Sequence, residues 1–150
     1  MRFYGHEPHR SVDGPRQSLE QTQTRYARRE AIRWGILIKG EDRILGSCSL
    51  HHFDPGFHRA EIGYELNHAY WGQGIMTEAL SAILTYGFAE LELHRIEAII
   101  DSANERSKKL LLKLSFTYEG NLRQRSVFRG HFEDEHSFGL LRDEWLRSES

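Results

Sequence analysis

The sequence predicts a mixed α/β domain, one sheet holding both antiparallel and parallel strands with helices packed on it, and three observations carry that expectation. Between residues 34 and 66, two β-type runs at hairpin spacing and a strictly alternating segment follow one another through turn residues, the pattern of consecutive antiparallel strands. From residue 75 onward, stretches with helical spacing alternate with strand-like runs, so the later strands return through helices and the sheet becomes mixed. The 150 residues, 39% hydrophobic and 28% charged, suit a single ordinary core, and residues 1–150 read as one domain.

Each element has a local reason. Ser18 to Arg33 is dense in Gln, Glu, Arg and Ala, with Leu19, Tyr26 and Ile32 as sparse apolar points, and predicts a solvent-facing helix. Trp34 to Lys39 and Arg43 to Phe53 are β-type runs joined at hairpin spacing by Gly40, Glu41 and Asp42. After the turn residues Asp54 to Gly56, the segment AEIGYEL alternates. Ala60, Ile62, Tyr64 and Leu66 point one way and Glu61, Gly63 and Glu65 the other, so this third strand has an acidic face. Beyond Gly74, the residues Ile75, Ala79, Ala82, Ile83, Tyr86 and Phe88 fall at helical spacing without a proline, predicting a helix of about four turns that ends near Leu91. Arg95 to Ile100 reads as a strand and Asn104 to Leu114 as a second helix. Phe116 to Phe128 and Glu133 to Leu141 read as two closing strands around a turn at Gly130.

Composition narrows the function. Lys and Arg number 20 against 22 Asp and Glu, and the basic residues are scattered among acidic ones, so a small molecule is a better expected partner than nucleic acid or an anionic membrane. The single cysteine, Cys48, excludes an internal disulfide and a thiolate metal cluster. The longest apolar stretch, Trp34 to Ile38, is far short of the ~20 residues of a membrane-spanning helix, and MRFYGHEPHR has no apolar signal region. The expected address is the cytoplasm. Adjacent His51 and His52 are expected on opposite faces of a strand, no histidine pair has helical ligand spacing, and no metal site is expected.

The segment YWGQGIMTEAL, Tyr70 to Leu80, carries the chemistry. Gly72 and Gly74 lack the Cβ atoms that would keep an anion from the main chain, and the free N–H groups of the following helical turn point at whatever sits there. The helix dipole adds roughly +0.5 charge, so a phosphate or pyrophosphate is the expected guest, with a tight turn lacking a ligand as the alternative. A dinucleotide fingerprint needs a small residue where Thr77 stands, and a Walker loop needs Gly-Lys-Ser/Thr, which does not follow.

The segments EIGYEL, YWGQGIMTEA, NERS (Asn104 to Ser107), FTYEG (Phe116 to Gly120), the Gly130 and Asp134 turn, and LLRDEW (Leu140 to Trp145) occur in that order. The chain thereby resembles the GNAT N-acetyltransferases, and within them the ribosomal-protein N-terminal alanine/serine acetyltransferase (RimJ/RimL-like) branch. The resemblance implies the GNAT fold, acetyl-CoA as co-substrate and a primary amine as acceptor, most plausibly a protein N-terminal residue. A free amino acid, a polyamine, an amine antibiotic or a non-catalytic CoA-binding role are the alternatives.

Site residues follow from the same resemblance. Leu66, Trp71, Gly72, Gln73, Gly74, Ile75, Met76, Thr77 and Asn104 are the implied cofactor-binding residues, with a main-chain amide near Leu66 for the oxyanion. Asn104 reads equally as the N-cap of its helix. Ser107 is the implied donor to the departing thiolate, with an exposed helix serine as the alternative, while Leu111 stands where many GNAT enzymes carry a tyrosine acid. Glu65, on the acidic strand face, is the candidate to take the amine's proton, with Glu61 as the weaker one and a solvated glutamate as the alternative for both. His51, His52 and His68 are candidates to line the acceptor cleft. Family members begin with a strand and a helix ahead of the segment like FYGHEP. Their expected absence here predicts a homodimer or another cover for the sheet edge.

Overall fold

A computed structural model of the chain describes residues 2–4, 31–38, 40, 42–54, 56 and 58–149. One seven-stranded sheet runs through it in the order β1-β2-β3-β4-β5-β7-β6. The strands are β1 (Arg2–Tyr4), β2 (Ala31–Leu37), β3 (Ile44–Asp54), β4 (Arg59–Leu66), β5 (Arg95–Asp101), β6 (Thr117–Phe128) and β7 (His131–Leu141). The helices are α1 (Ile75–Ala89), α2 (Glu105–Lys113) and α3 (Arg142–Glu149), with one turn of 3-10 helix at His68–Tyr70. All neighbours are antiparallel except β4 and β5, which are parallel and joined through α1.

Period-two alternation along the strands explains the burial. Ile32, Trp34 and Ile36 on β2, Cys48 and Leu50 on β3, Ala60 and Ile62 on β4, and Ile96 and Ala98 on β5 are all buried. They form one core with the α1 side chains Ala79, Leu80, Ile83 and Leu84 and with Phe138 and Leu140 of β7. Tyr86 of α1 meets Trp34 edge to face at 5.6 Å between ring centroids. Among the described residues no helix is long and apolar enough to cross a membrane.

Three features depart from the sequence reading. The helix expected over Ser18 to Arg33 lies outside the described residues except at its end, where Ala31 to Arg33 already belong to β2 because Ile32 fits the core opposite Leu50. Three short elements were not read: β1, the 3-10 turn, and α3. In α3, the Glu144 carboxylate accepts from the Leu141 N–H at 2.9 Å, Trp145 is buried, and its indole N–H donates to Thr85 Oγ1 at 3.3 Å.

The third departure concerns His51 and His52. The register of β3 on β4 shifts between His51 and Asp54, and His52 has a φ of 51°. This bulge breaks the two-residue alternation, so the rings do not diverge onto opposite faces. They contact each other at 4.7 Å between centroids, and both turn toward the Glu61 carboxylate.

Candidate active site

The parallel pair creates an opening. β4 and β5 are in register over Arg59 with Arg95, Ala60 with Ile96 and Glu61 with Glu97. β4 runs on to Leu66 against β3, and β5 runs on to Asp101 against β7, so beyond Glu61 their inner edges part. The Asn67 N–H donates to the Leu45 carbonyl at 2.7 Å, on the β3 side. Strand alternation therefore turns the main-chain groups of Leu66 and Tyr64 the other way, into the opening. Unpaired strand edges of this kind accept an extended chain that carries amides.

At the mouth of the opening the chain turns into α1. The indole N–H of Trp71 donates to the Leu66 carbonyl at 2.9 Å, fixing the loop to the end of β4. Gly72 and Gly74 adopt φ values of 80° and 77°, left-handed conformations that favour glycine, and a Cβ on either would meet nothing within 4 Å. The space above the loop is open. Gly74 is the N-cap of α1 and offers no side-chain cap, which leaves the N–H groups of Ile75, Met76 and Thr77 to a ligand or solvent. Gln73 is exposed between the glycines. From α2, the Arg106 guanidinium lies 4.4 Å from the Trp71 ring centroid, bringing positive charge beside the loop.

The first turn of α2 forms another wall. The Asn104 side-chain oxygen Oδ1 accepts from the Ser107 N–H at 3.0 Å, so the capping reading of Asn104 is what the structure displays. Ser107 is only 8% exposed, which removes the reading of a solvated helix serine, and Leu111 lies fully inside the core. Facing Ser107 from β4 is Tyr64, whose buried hydroxyl makes no hydrogen bond of ordinary geometry and has the Ser107 hydroxyl beside it. Burial pushes the Tyr64 hydroxyl pKa up to about 12, with the Ser107 hydroxyl opposing that shift. The sequence reading missed Tyr64 because alternation had already placed it among the core-facing residues.

On the other face of β4, Glu65 is exposed and sits opposite Ser47 of β3 beside an open groove that includes Ile44, Leu66 and Asn67. Glu61 is not a free partner for it. Its carboxylate accepts from His52 Nδ1 at 2.8 Å and lies 3.8 Å from His51 Nε2. His51 Nδ1 and the Ser49 hydroxyl are hydrogen-bonded at 3.0 Å. The possible ligand atoms of His51, His52 and Glu61 fall within 4.8 Å of one another, and a hydrogen bond already joins His52 to Glu61. His68 is away from this group, its ring 4.4 Å from that of Trp71.

Burial lowers the His51 pKa below its ordinary value, and Glu61 opposes that shift while His52 and Arg33 reinforce it. The imidazole binds its proton more readily in the unfolded chain, so stability is expected to be full above about pH 6.5 and to fall as the pH drops toward the folded value. The difference in urea midpoint between wild type and His51→Gln, followed from pH 7.5 to 5, reads this contribution. A pH-independent difference would contradict it.

A sheet split between one parallel pair, with a glycine turn and a bare helix N-terminus at the split, gives an α/β domain an opening suited to an extended anionic ligand, and comparison places the fold. The acetyltransferase (GNAT) domain model matches residues 1–117. An uncharacterized N-acetyltransferase of Bacillus licheniformis, p20, is 40% identical over 116 residues, covering 77% of this chain and 65% of the relative. The match thus spans less than two thirds of that protein. Another from Bacillus subtilis (strain 168), YoaA, is 33% identical over 141 residues, covering 94% of this chain and 80% of the relative. The crystal structure of ribosomal-protein-S5-alanine acetyltransferase from Vibrio fischeri superposes with a TM-score of 0.75 at 30% identity, covering 81% of this chain and 67% of that one. The chain belongs to the GNAT acetyltransferase family.

Proposed function

We propose that this chain transfers an acetyl group from acetyl-CoA directly to the α-amine of a protein N-terminal residue in a ternary complex. The observation that carries the cofactor reading is the parting of β4 from β5 directly beside the left-handed glycines and uncapped start of α1. A pyrophosphate suits the N–H groups of Gly74 to Thr77, and the two amides of a pantetheine arm suit the exposed strand edges. Bound there, acetyl-CoA supplies an activated thioester.

The chain's own groups then divide the work. The Leu66 or Tyr64 main-chain N–H, turned into the opening, holds the oxyanion that forms when the amine attacks. Glu65 takes the amine's proton, directly or through water. Ser107 donates a hydrogen bond to the departing sulfur. The ribosomal-protein-alanine acetyltransferase named above supports an N-terminal amine as acceptor. The reaction is placed in the cytoplasm, in keeping with a chain whose one cysteine is a buried thiol. The tip of the β6–β7 hairpin leaves Val127, Phe128 and Phe132 more than half exposed, and we assign it to a homodimer contact. Light scattering at micromolar concentration should report a dimer, and a stable monomer would remove that assignment.

The acceptor is tested by thiol release from acetyl-CoA with peptides beginning in Ala or Ser, with spermidine and with free amino acids. Turnover of at least one peptide at least about tenfold above the small amines is expected. Faster turnover of spermidine or an amino acid would move the acceptor to a small amine. Acetyl-CoA binding with no release for any amine would make the chain a CoA-binding module.

A further inference from the structure

Tyr64 lies on β4 beyond Glu61, where the strand has left β5, and Ser107 lies on α2, which follows β5. The two residues thus approach each other from opposite walls of the opening. The Tyr64 hydroxyl is shut off from solvent, makes no hydrogen bond of ordinary geometry, and has the Ser107 hydroxyl as a neighbouring polar group. Native structures seldom keep a buried hydroxyl unpaired, and one that persists at a ligand opening marks a donor whose acceptor arrives with the ligand. With Leu111 committed to the core, α2 offers no second donor one turn after Ser107.

We propose that Tyr64 and Ser107 together form the binding site for the leaving sulfur, with Tyr64 as the second hydrogen-bond donor to the departing thiolate. This rests on the acetyl-CoA reading above. The amine nitrogen bonds to the carbonyl carbon, and the C–S bond breaks with its electron pair going to sulfur. Both hydroxyls keep their protons and stabilise that charge where it develops. The proton lost by the amine, passed through Glu65 and solvent, makes the free thiol. Burial suits Tyr64 to this role, because a hydroxyl with its pKa pushed up to about 12 stays protonated throughout the working range.

The thiol of bound CoA reads the donors directly. Free CoA, with its own sulfhydryl in place of the acetyl thioester, is bound to wild type, Tyr64→Phe and Ser107→Ala, and the thiolate absorbance is titrated. Two donors should hold the bound thiol about one pH unit below the ~8.5 of an ordinary thiol. Tyr64→Phe should return roughly half of that shift or more, with CoA affinity changed less than threefold and the melting temperature not lowered. A purely structural Tyr64 would lower the melting temperature and leave the thiol pKa in place, which would overturn the proposal. Failure of wild type to bind CoA would overturn both this proposal and the acetyl-CoA reading, whereas binding with an unmoved thiol pKa in Tyr64→Phe would overturn this proposal alone.

Discussion

Glu65→Gln is expected to slow the chemical step by ~10²–10⁴ while leaving acetyl-CoA affinity nearly intact, the signature of losing a general base. The substitution keeps the size and polarity of an exposed side chain opposite Ser47, so folding is not expected to suffer. Glu61 cannot readily substitute, because its carboxylate is already engaged by His52 and lies close to His51. Ser107→Ala should cost less, since water and Tyr64 remain to meet a thiolate whose pKa is near ~8.5 by analogy with cysteine. Single-turnover acetyl transfer with a good acceptor separates the two effects from binding. Wild-type rates in both variants would assign the proton to water and remove both residues from the chemistry.

Gly74→Val should weaken acetyl-CoA binding by at least tenfold, about 1.4 kcal/mol. Two causes act together. Gly74 holds a φ of 77°, a conformation that strains a β-branched residue, and its missing Cβ leaves open the space above the N-terminus of α1. Gly74→Asn separates them, because asparagine tolerates the left-handed conformation yet still puts a side chain into the cradle. If steric obstruction dominates, asparagine also weakens binding in calorimetry. If strain dominates, asparagine restores most of it. Unchanged affinity in the valine variant would move the pyrophosphate away from this loop.

The legible parts of the sequence are those whose pattern has a single physical reading. Period-two alternation over Ala60 to Leu66 separated the core-facing residues from Glu61 and Glu65, and the glycines before Ile75 announced the turn into α1. The bulge in β3 was hidden because it depends on how His51, His52 and Asp54 pair with β4, and pairing is a tertiary property. α3 was overlooked although Glu144 could be seen at capping distance from Leu141, since the apolar signal of so short a helix rests on Trp145. Tyr64 was legible as a β4 residue but not as an unpaired donor, because that follows from what α2 places opposite it.

The central claim, that acetyl-CoA occupies the opening between β4 and β5 with its pyrophosphate on the glycine turn, is tested most directly by amide chemical shifts during an acetyl-CoA titration. The largest changes are predicted at Gly72 to Thr77, at Tyr64 and Leu66, and along Ile99 to Asp101 on the facing edge of β5. Saturable binding that leaves those amides unmoved and shifts another surface instead would contradict the account.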